Sequence, residues 1–298
     1  MRFGVVLPTY PAGATVAGVI AVAQAAEALG YVSVWTTDHV ILPAGQAYPY
    51  DQILEPLLTL ATVAPLTNRV KLGISVIVVS QRNGIVLAKE LATLDQLCGG
   101  RLIAGVGAGW SADEFRMLDA GDRFTRRGAY LDETLRLWRH LWRTPGTPFQ
   151  GEFYDLPAVD FGPPPVQPDG PPIWVGGSSE GARRRAGRYG AAWHPVGDTA
   201  ATLASQAALV RESATAAGRP VPEIAPRLPI QFGTGGKALS AGSMQTISGS
   251  PDEIAAQLAA YRDAGVSEID CFFGGPHADT VIAQMETFAR EVIPALNS

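Results

Sequence analysis

Apolar, strand-like runs alternate along the whole chain with stretches of helical spacing, and about eight such pairs follow one another with short connections. The runs are Phe3 to Leu7, one ending at Asp38-His39, one from near Val70, Leu102 to Gly107, Ile173 to Gly177, Ala192 to Pro195, Pro226 to Phe232, and Glu268 to Phe273. Helical patterns lie between them, and several carry end signals. A helix from about Thr15 to Leu29 is stopped by Gly30, and Pro56 stands at a favoured first helical position. Further helices are expected over 84–97, 127–143, 182–189 and 199–217. Ser250-Pro251-Asp252-Glu253 has the pattern of a capped start for a helix running to Asp263. Parallel strands joined by crossover helices make an α/β fold, and this count predicts a (β/α)8 TIM barrel, a single domain over residues 1–298. An open doubly wound sheet is the alternative. Two stretches break the rhythm. Gly151 to Pro172 contains a proline-rich surface crossing that can be neither helix nor central strand, with a small hairpin expected from Phe153-Tyr154 and Val159 to Phe161. Gly233 to Gly249 is a glycine-rich, aperiodic late-chain insertion, expected to act as a lid.

The ends of the strands are where the chemistry concentrates. The run Tyr31 to Thr37 ends in Asp38-His39, where a buried strand would ordinarily hand over to a bland turn; Leu102 to Val106 runs into Gly107-Ala108-Gly109-Trp110, and Ile173 to Val175 into Gly176-Gly177-Ser178-Ser179. A sheet whose strands all carry unusual residues at their C-terminal ends has one active-site face. A net charge of -5 argues against a nucleic-acid partner or a polybasic membrane surface. No run approaches the roughly 20 apolar residues of a membrane helix, and the first strand is too short for a signal peptide. Cys98 and Cys271 are read as reduced thiols, and a cytoplasmic location follows from that reading. No spacing of His, Asp or Glu makes a metal site, and Gly4 to Thr9 carries no dinucleotide fingerprint.

Taken in order, Gly30 to His39, Thr67 to Gly73, Gly105 to Trp110, Arg127-Gly128 with Asp132-Glu133, Pro172 to Gly177 and the Ser250-to-Gly265 helix resemble the luciferase-like monooxygenase superfamily, specifically its branch of coenzyme F420-dependent oxidoreductases. The resemblance covers essentially the whole chain. It implies a bacterial luciferase-like barrel with a late insertion, a homodimer or higher homo-oligomer, and a small-molecule substrate. It also implies that His39 donates or accepts the proton that accompanies hydride transfer, and that Asp38 fixes its surroundings or contacts the cofactor. By the same resemblance Ser75-Val76 is a non-prolyl cis peptide behind the deazaflavin ring. Deazaflavin-dependent glucose-6-phosphate dehydrogenases have an acidic glutamate where this chain has Trp110, which disfavours a sugar phosphate.

The residues themselves support several of these roles. An imidazole with a pKa near 6.5 trades protons close to neutral pH. Gly107 and Gly109 let a backbone approach a ligand, or simply allow tight strand-turn packing, and Trp110 offers a flat apolar face. Gly176, Gly177, Ser178 and Ser179 before a helix read as a phosphate cradle. Arg183, with Arg184, Arg185 and Arg188, is the cation expected to serve it, although Glu180 stands against this. His194 is expected to be a satisfied core or edge residue, and Asp132, Glu133 and Arg136 to pair along one helix face. The leading function is hydride transfer between coenzyme F420 and a small organic molecule. The alternatives are an FMN-dependent monooxygenase using dioxygen and a non-catalytic flavin- or deazaflavin-binding protein.

Overall fold

A computed structural model describes residues 1–9, 14–45, 50, 52–233, 244–275 and 277–297. Eight parallel strands form the barrel wall: β1 (Arg2–Val6), β2 (Ser33–Thr36), β3 (Lys71–Ile74), β4 (Leu102–Gly107), β5 (Ile173–Gly176), β6 (Ala192–His194), β7 (Arg227–Phe232) and β8 (Glu268–Phe273). Each pairs with the next in register, as in Val5↔Val34, Trp35↔Gly73, Gly73↔Ile103, Val106↔Val175 and Gly176↔His194. Closure between β6 and β7 runs through a short strand, Glu223–Ile224, which pairs with Ala192 and Trp193 and leads directly into β7. The amide of Arg227 then donates to the Pro195 carbonyl at 2.9 Å, and Val196 bridges Arg227. Pairs Leu228↔Cys271 and Gly4↔Asp270 complete the ring through β8 to β1.

The returning helices are α1 (Val16–Ala28), α2 (Pro56–Val63), α3 (Gly84–Leu97), α4 (Arg127–Arg143), α5 (Glu180–Tyr189), α6 (Ala200–Ala216), α7 (Pro251–Asp263) and α8 (Ala278–Thr287). Their starts are set by side chains that accept otherwise orphaned amides: Thr15, Glu55, Asn83, Ser179, Thr199 and Ser250 each cap one helix. Ser250 and Glu253 make the full reciprocal capping box that the sequence pattern implied. The apolar stripe of α4, Leu131, Leu135, Trp138, Leu141 and Trp142, is buried. Trp138 and Trp142 anchor it to α3 by donating to the carbonyls of Gly84 (2.9 Å) and Ala88 (3.2 Å).

Two local expectations, the hairpin and the Asp132 pairing, need revision. The hairpin forms, but from Phe149–Gln150 and Asp155–Leu156 rather than from Phe153-Tyr154 and Val159 to Phe161. Its turn is held by Glu133, whose carboxylate accepts the amides of Glu152, Phe153 and Tyr154 at 2.8–2.9 Å. Glu133 does lie 3.5 Å from Arg136, but Asp132 looks across to α5. Between β4 and α4 the chain also makes two short helices that periodicity did not reveal, Ala112–Met117 and a 3-10 segment Gly121–Arg126. Of the insertion expected to act as a lid, Gly233 to Gly249, the part Ile247–Gly249 runs beside the end of β7, while residues 234–243 lie outside the described residues.

The third strand is interrupted. After Ile74 comes a cis Ser75-Val76 peptide, as the resemblance implied, and Ile77–Val78 then resumes pairing with β4. The glycines around it are space-makers. A β-carbon on Gly107 would lie 2.6 Å from Val76, one on Gly176 2.8 Å from it, and one on Gly105 1.8 Å from the Ile74 carbonyl oxygen. Gly105→Ala therefore meets fixed backbone and should destabilise the fold by about 3 kcal/mol or more, whereas Gly146→Ala, which has open space, should stay within about 0.5 kcal/mol. Urea denaturation midpoints of the two variants check this; equal midpoints would refute it.

Candidate active site

All of the strand ends singled out in the sequence open on one side of the barrel, around a cleft of about 810 Å³. Its lining includes Thr37, Asp38 and His39 beyond β2, Ser75, Val76 and Val78 beyond β3, Gly107 to Trp110 beyond β4, and Gly176, Gly177 and Ser179 beyond β5.

His39 sits at the mouth, with its side chain 8% exposed. Its Nδ1 lies 3.1 Å from Oε2 of Glu114, a residue with only 1% of its side chain exposed. The other Glu114 oxygen accepts the Val40 amide at 2.9 Å. Burial works against the carboxylate charge, but hydrogen bonds led by that from His39 outweigh it and hold the Glu114 carboxyl below its ordinary range. A carboxylate accepts only, so Nδ1 carries the hydrogen and Nε2 is left for the cleft. Glu114 was missed in the sequence because it lies 75 residues away, on a helix too short to show a period. Its one local signal is Ser111, which caps that helix by accepting the Glu114 amide. Tyr50 and Trp110 flank His39, with ring centroids at 4.6 and 5.7 Å. Trp110 itself is 65% exposed, a flat apolar wall at the entrance.

Asp38 lines the cleft but is engaged on both oxygens. Oδ2 accepts the Val78 amide at 2.8 Å, and Oδ1 pairs with Arg82 at 2.7 Å. Its geometry is that of a brace on the interrupted strand. Gly107 and Gly176 pack against Val76, and Gly109, in the left-handed region at φ 86°, packs against Val78 and Phe115, so these glycines shape the cleft floor through their neighbours.

The cations divide unexpectedly. Of the cluster on α5, Arg185 lines the cleft and Arg183 does not. Arg184 pairs with Glu180 on the exposed helix face. Ser178 also turns away, donating to Asp198, and Ser179 caps α5 by accepting the Ala182 amide. Arg185 is held by Asp132 at 2.5 Å and by the Gly128 carbonyl at 3.0 Å. Arg127 joins it in the lining; its guanidinium is oriented by the Gly109 and Phe124 carbonyls, which leave its charge uncompensated by any carboxylate among the described residues. No cluster of His, Cys, Asp or Glu suited to a metal ion occurs among the described residues.

Beneath the floor lies a buried polar group. Ser75 Oγ is 2.7 Å from His194 Nε2, and His194 Nδ1 is 2.6 Å from the Ala225 carbonyl and 3.6 Å from Asp270. His194 and Asp270 are both fully buried. Burial, with the nearby Arg227 charge, pushes the imidazole down to about 4, and burial raises the Asp270 carboxyl well above its ordinary range. The imidazole is therefore neutral near pH 7, and burial biases the carboxyl toward its protonated form.

Three comparisons bear on this arrangement. The family model for luciferase-like monooxygenases matches residues 1–235. An uncharacterised protein of Mycobacterium tuberculosis (strain ATCC 25618 / H37Rv) is 34% identical over 189 residues, 59% of this chain, which there spans 65% of the relative's length. The F420-dependent glucose-6-phosphate dehydrogenase of Amycolatopsis mediterranei is 27% identical over 92% of both chains. Among solved structures, an F420-dependent secondary alcohol dehydrogenase in complex with an F420-acetone adduct superposes with a TM-score of 0.83, covering 100% of this chain and 99% of that one at 19% identity. That last likeness concerns the fold.

The buried His194–Asp270 pair has a measurable signature. His194 takes a proton below 6.5 in the unfolded chain but only below about 4 in the fold, so between these values it makes stability rise with pH. Asp270 does the opposite, since the fold keeps its carboxyl protonated where the unfolded chain ionises it. The two slopes offset each other, and Glu268, Arg227, Arg2 and Cys271 are common to wild type and variant. The stability of Asp270→Asn should therefore rise more steeply with pH across that window than that of wild type. Denaturation series from pH 4 to 6.5 decide this; parallel curves for the two proteins would rule it out.

Proposed function

The chain belongs to the luciferase-like monooxygenase family, and from that premise we propose that it is an oxidoreductase working with coenzyme F420, passing a hydride between the deazaflavin and a small, fairly apolar organic molecule. One observation carries the reading. His39 lines the cleft with one nitrogen committed to a buried carboxylate and the other without a hydrogen-bond partner among the described residues. That is the arrangement of a general acid-base whose tautomer is set by its partner.

The residues present suit the cofactor. The cleft is of the size that takes a tricyclic ring with a tail. Val76, lodged among Gly107 and Gly176, gives a flat apolar floor without side chains on the adjoining strand ends. Arg127, Arg185 and the start of α5 supply positive potential for a phosphodiester. When bound, the deazaflavin supplies hydride transfer at its C5. This chain's own residues do the rest. Asp38 braces the strand beneath, and His39 takes the hydroxyl proton of an alcohol, or gives one to a carbonyl, through Nε2. Glu114 holds the imidazole in that tautomer and stabilises it when it is charged.

Tyr50, Trp110, Val196, Met244 and Phe272 line the cleft with apolar surface, which favours ketones, enones and secondary alcohols. A sugar phosphate is a poorer fit: Trp110 has no acidic proton, and Glu114 is buried behind His39. Following the family resemblance, the reading includes a homodimer or higher homo-oligomer in the cytoplasm. Among the described residues no helix is long and apolar enough to cross a membrane.

Fluorescence titration with coenzyme F420 and with FMN tests the cofactor. Micromolar binding of the first and much weaker binding of the second is expected; the reverse preference, with oxygen uptake, would make it an FMN-dependent monooxygenase. Arg127→Ala should weaken F420 binding about tenfold or more, and Arg184→Ala should leave it unchanged. His39→Asn should cut kcat by a factor of about 100 to 10,000. Glu114→Gln acts through His39, so it should lower kcat less and move the pH profile while KM stays within about twofold. Full turnover by the His39 variant with tight cofactor binding would point instead to a carrier.

A further inference from the structure

The interior of this barrel holds a connected set of polar side chains that the proton chemistry at His39 does not use. From the base upward, Arg2 Nε donates to Glu268 at 3.1 Å, Ser33 Oγ donates to the other Glu268 oxygen at 2.6 Å, and Trp35 Nε1 donates to Ser33 Oγ at 2.7 Å. Asp270 lies beside them. A β-carbon on Gly4 would fall 2.2 Å from Ser33 Oγ, 2.6 Å from Asp270 Oδ1 and 2.8 Å from Trp35 Nε1, so the absence of one there is what lets the three converge. Above Asp270 comes His194, sandwiched near Trp35 and Trp174 with ring centroids at 5.3 and 5.6 Å, and above His194 comes Ser75 in the cleft lining.

The direction of each hydrogen bond at the top of this set can be deduced. A peptide carbonyl only accepts, and Nδ1 of His194 lies 2.6 Å from that of Ala225, so Nδ1 carries the hydrogen. The ring is neutral, because it is fully buried and Arg227 stands close by. Nε2 is then a bare acceptor, and at 2.7 Å it must take the hydroxyl hydrogen of Ser75. Arg227 meanwhile donates to the Ser75 carbonyl at 3.3 Å and to Thr37 Oγ1 at 2.7 Å. With its hydrogen directed downward, the Ser75 hydroxyl has only lone pairs to offer upward.

We propose that His194 is a positioning residue that locks the Ser75 hydroxyl as a hydrogen-bond acceptor on the cleft floor, so that the site selects a ligand ring presenting an N–H or O–H there and disfavours one presenting a carbonyl oxygen. An unlocked serine rotates to suit either partner. A locked one discriminates, because an acceptor facing an acceptor leaves both desolvated and unpaired. The lock works from beneath the floor, where solvent and ligand do not reach it. The buried acids below share in it: burial pushes the Asp270 carboxyl toward its protonated form, which weakens its pull on a second imidazole proton, and Glu268 has its own partners in Arg2 and Ser33.

The proposal uses the deazaflavin reading only for its probe. The tautomer is tested on the ligand-free protein by 15N NMR of labelled histidine. His194 should show a neutral ring with hydrogen on Nδ1 from pH 5 to 8; hydrogen on Nε2, or titration within that range, would overturn the lock. Selectivity is tested by a double-mutant cycle read by coenzyme F420 titration, repeated with FMN. Ser75→Ala should weaken binding roughly three- to tenfold. His194→Asn keeps a donor for the Ala225 carbonyl but frees the hydroxyl, and should weaken binding by less. The S75A/H194N double variant should bind as S75A does, since the lock has nothing left to act on. A double variant weaker by the product of the two single losses would reduce His194 to a packing residue. Wild-type binding with no loss in S75A would sink this inference while leaving the deazaflavin reading intact. Failure of wild type to bind F420 alongside the Nδ1–H tautomer would do the reverse.

Discussion

The interruption of the third strand at Ser75-Val76 is the constraint on which the cleft depends. Residues on or just beyond other strands hold it in place. Asp38 accepts the Val78 amide, Arg227 donates to the Ser75 carbonyl, His194 accepts the Ser75 hydroxyl, and the glycines of β4 and β5 receive the Val76 side chain. Because Asp38 is spent on this brace, the residue after it emerges at the cleft mouth, where Glu114 orients it. The floor and the acid-base group are thus two consequences of one anchored break.

The barrel core is polar where most are filled with branched aliphatic side chains. Burying Asp270, Glu268, His194 and Arg227 together is tolerable because the charge is dealt with in two ways. Some groups pair, as Glu268 does with Arg2 and Ser33. Others are pushed toward their neutral forms, as burial does to His194 and Asp270. The indoles of Trp35 and Trp174 and the His194 ring fill the intervening volume at centroid distances of 4.7–5.6 Å, so the polar groups remain close-packed.

Charge at the other side of the cleft follows a similar economy of position. Arginines abound on α5, but a helix shows each one in a different direction, and Arg184 meets Glu180 at the surface. Arg185 reaches inward, and Asp132 and the Gly128 carbonyl orient it. Arg127, from the preceding helix, provides a cation that the Gly109 and Phe124 carbonyls orient and that pairs with no carboxylate among the described residues.

The sequence alone carried whatever depends on local periodicity and local capping. The eight strand-helix pairs, the boundaries of α3 and α4, the Ser250 capping box and the unusual end of β2 at Asp38-His39 were all legible, because each is written within one or two turns of chain. His194 was legible as a buried, satisfied histidine, but its partner Ser75 stands 119 residues away. Glu114 is 75 residues from His39, and Asp132 is 53 from Arg185. Nothing in spacing distinguishes Arg185 from Arg183, or shows that Gly107 and Gly176 make room for Val76. Those assignments arise only when the barrel closes, since closure sets which strand ends face one another and therefore which side chains meet.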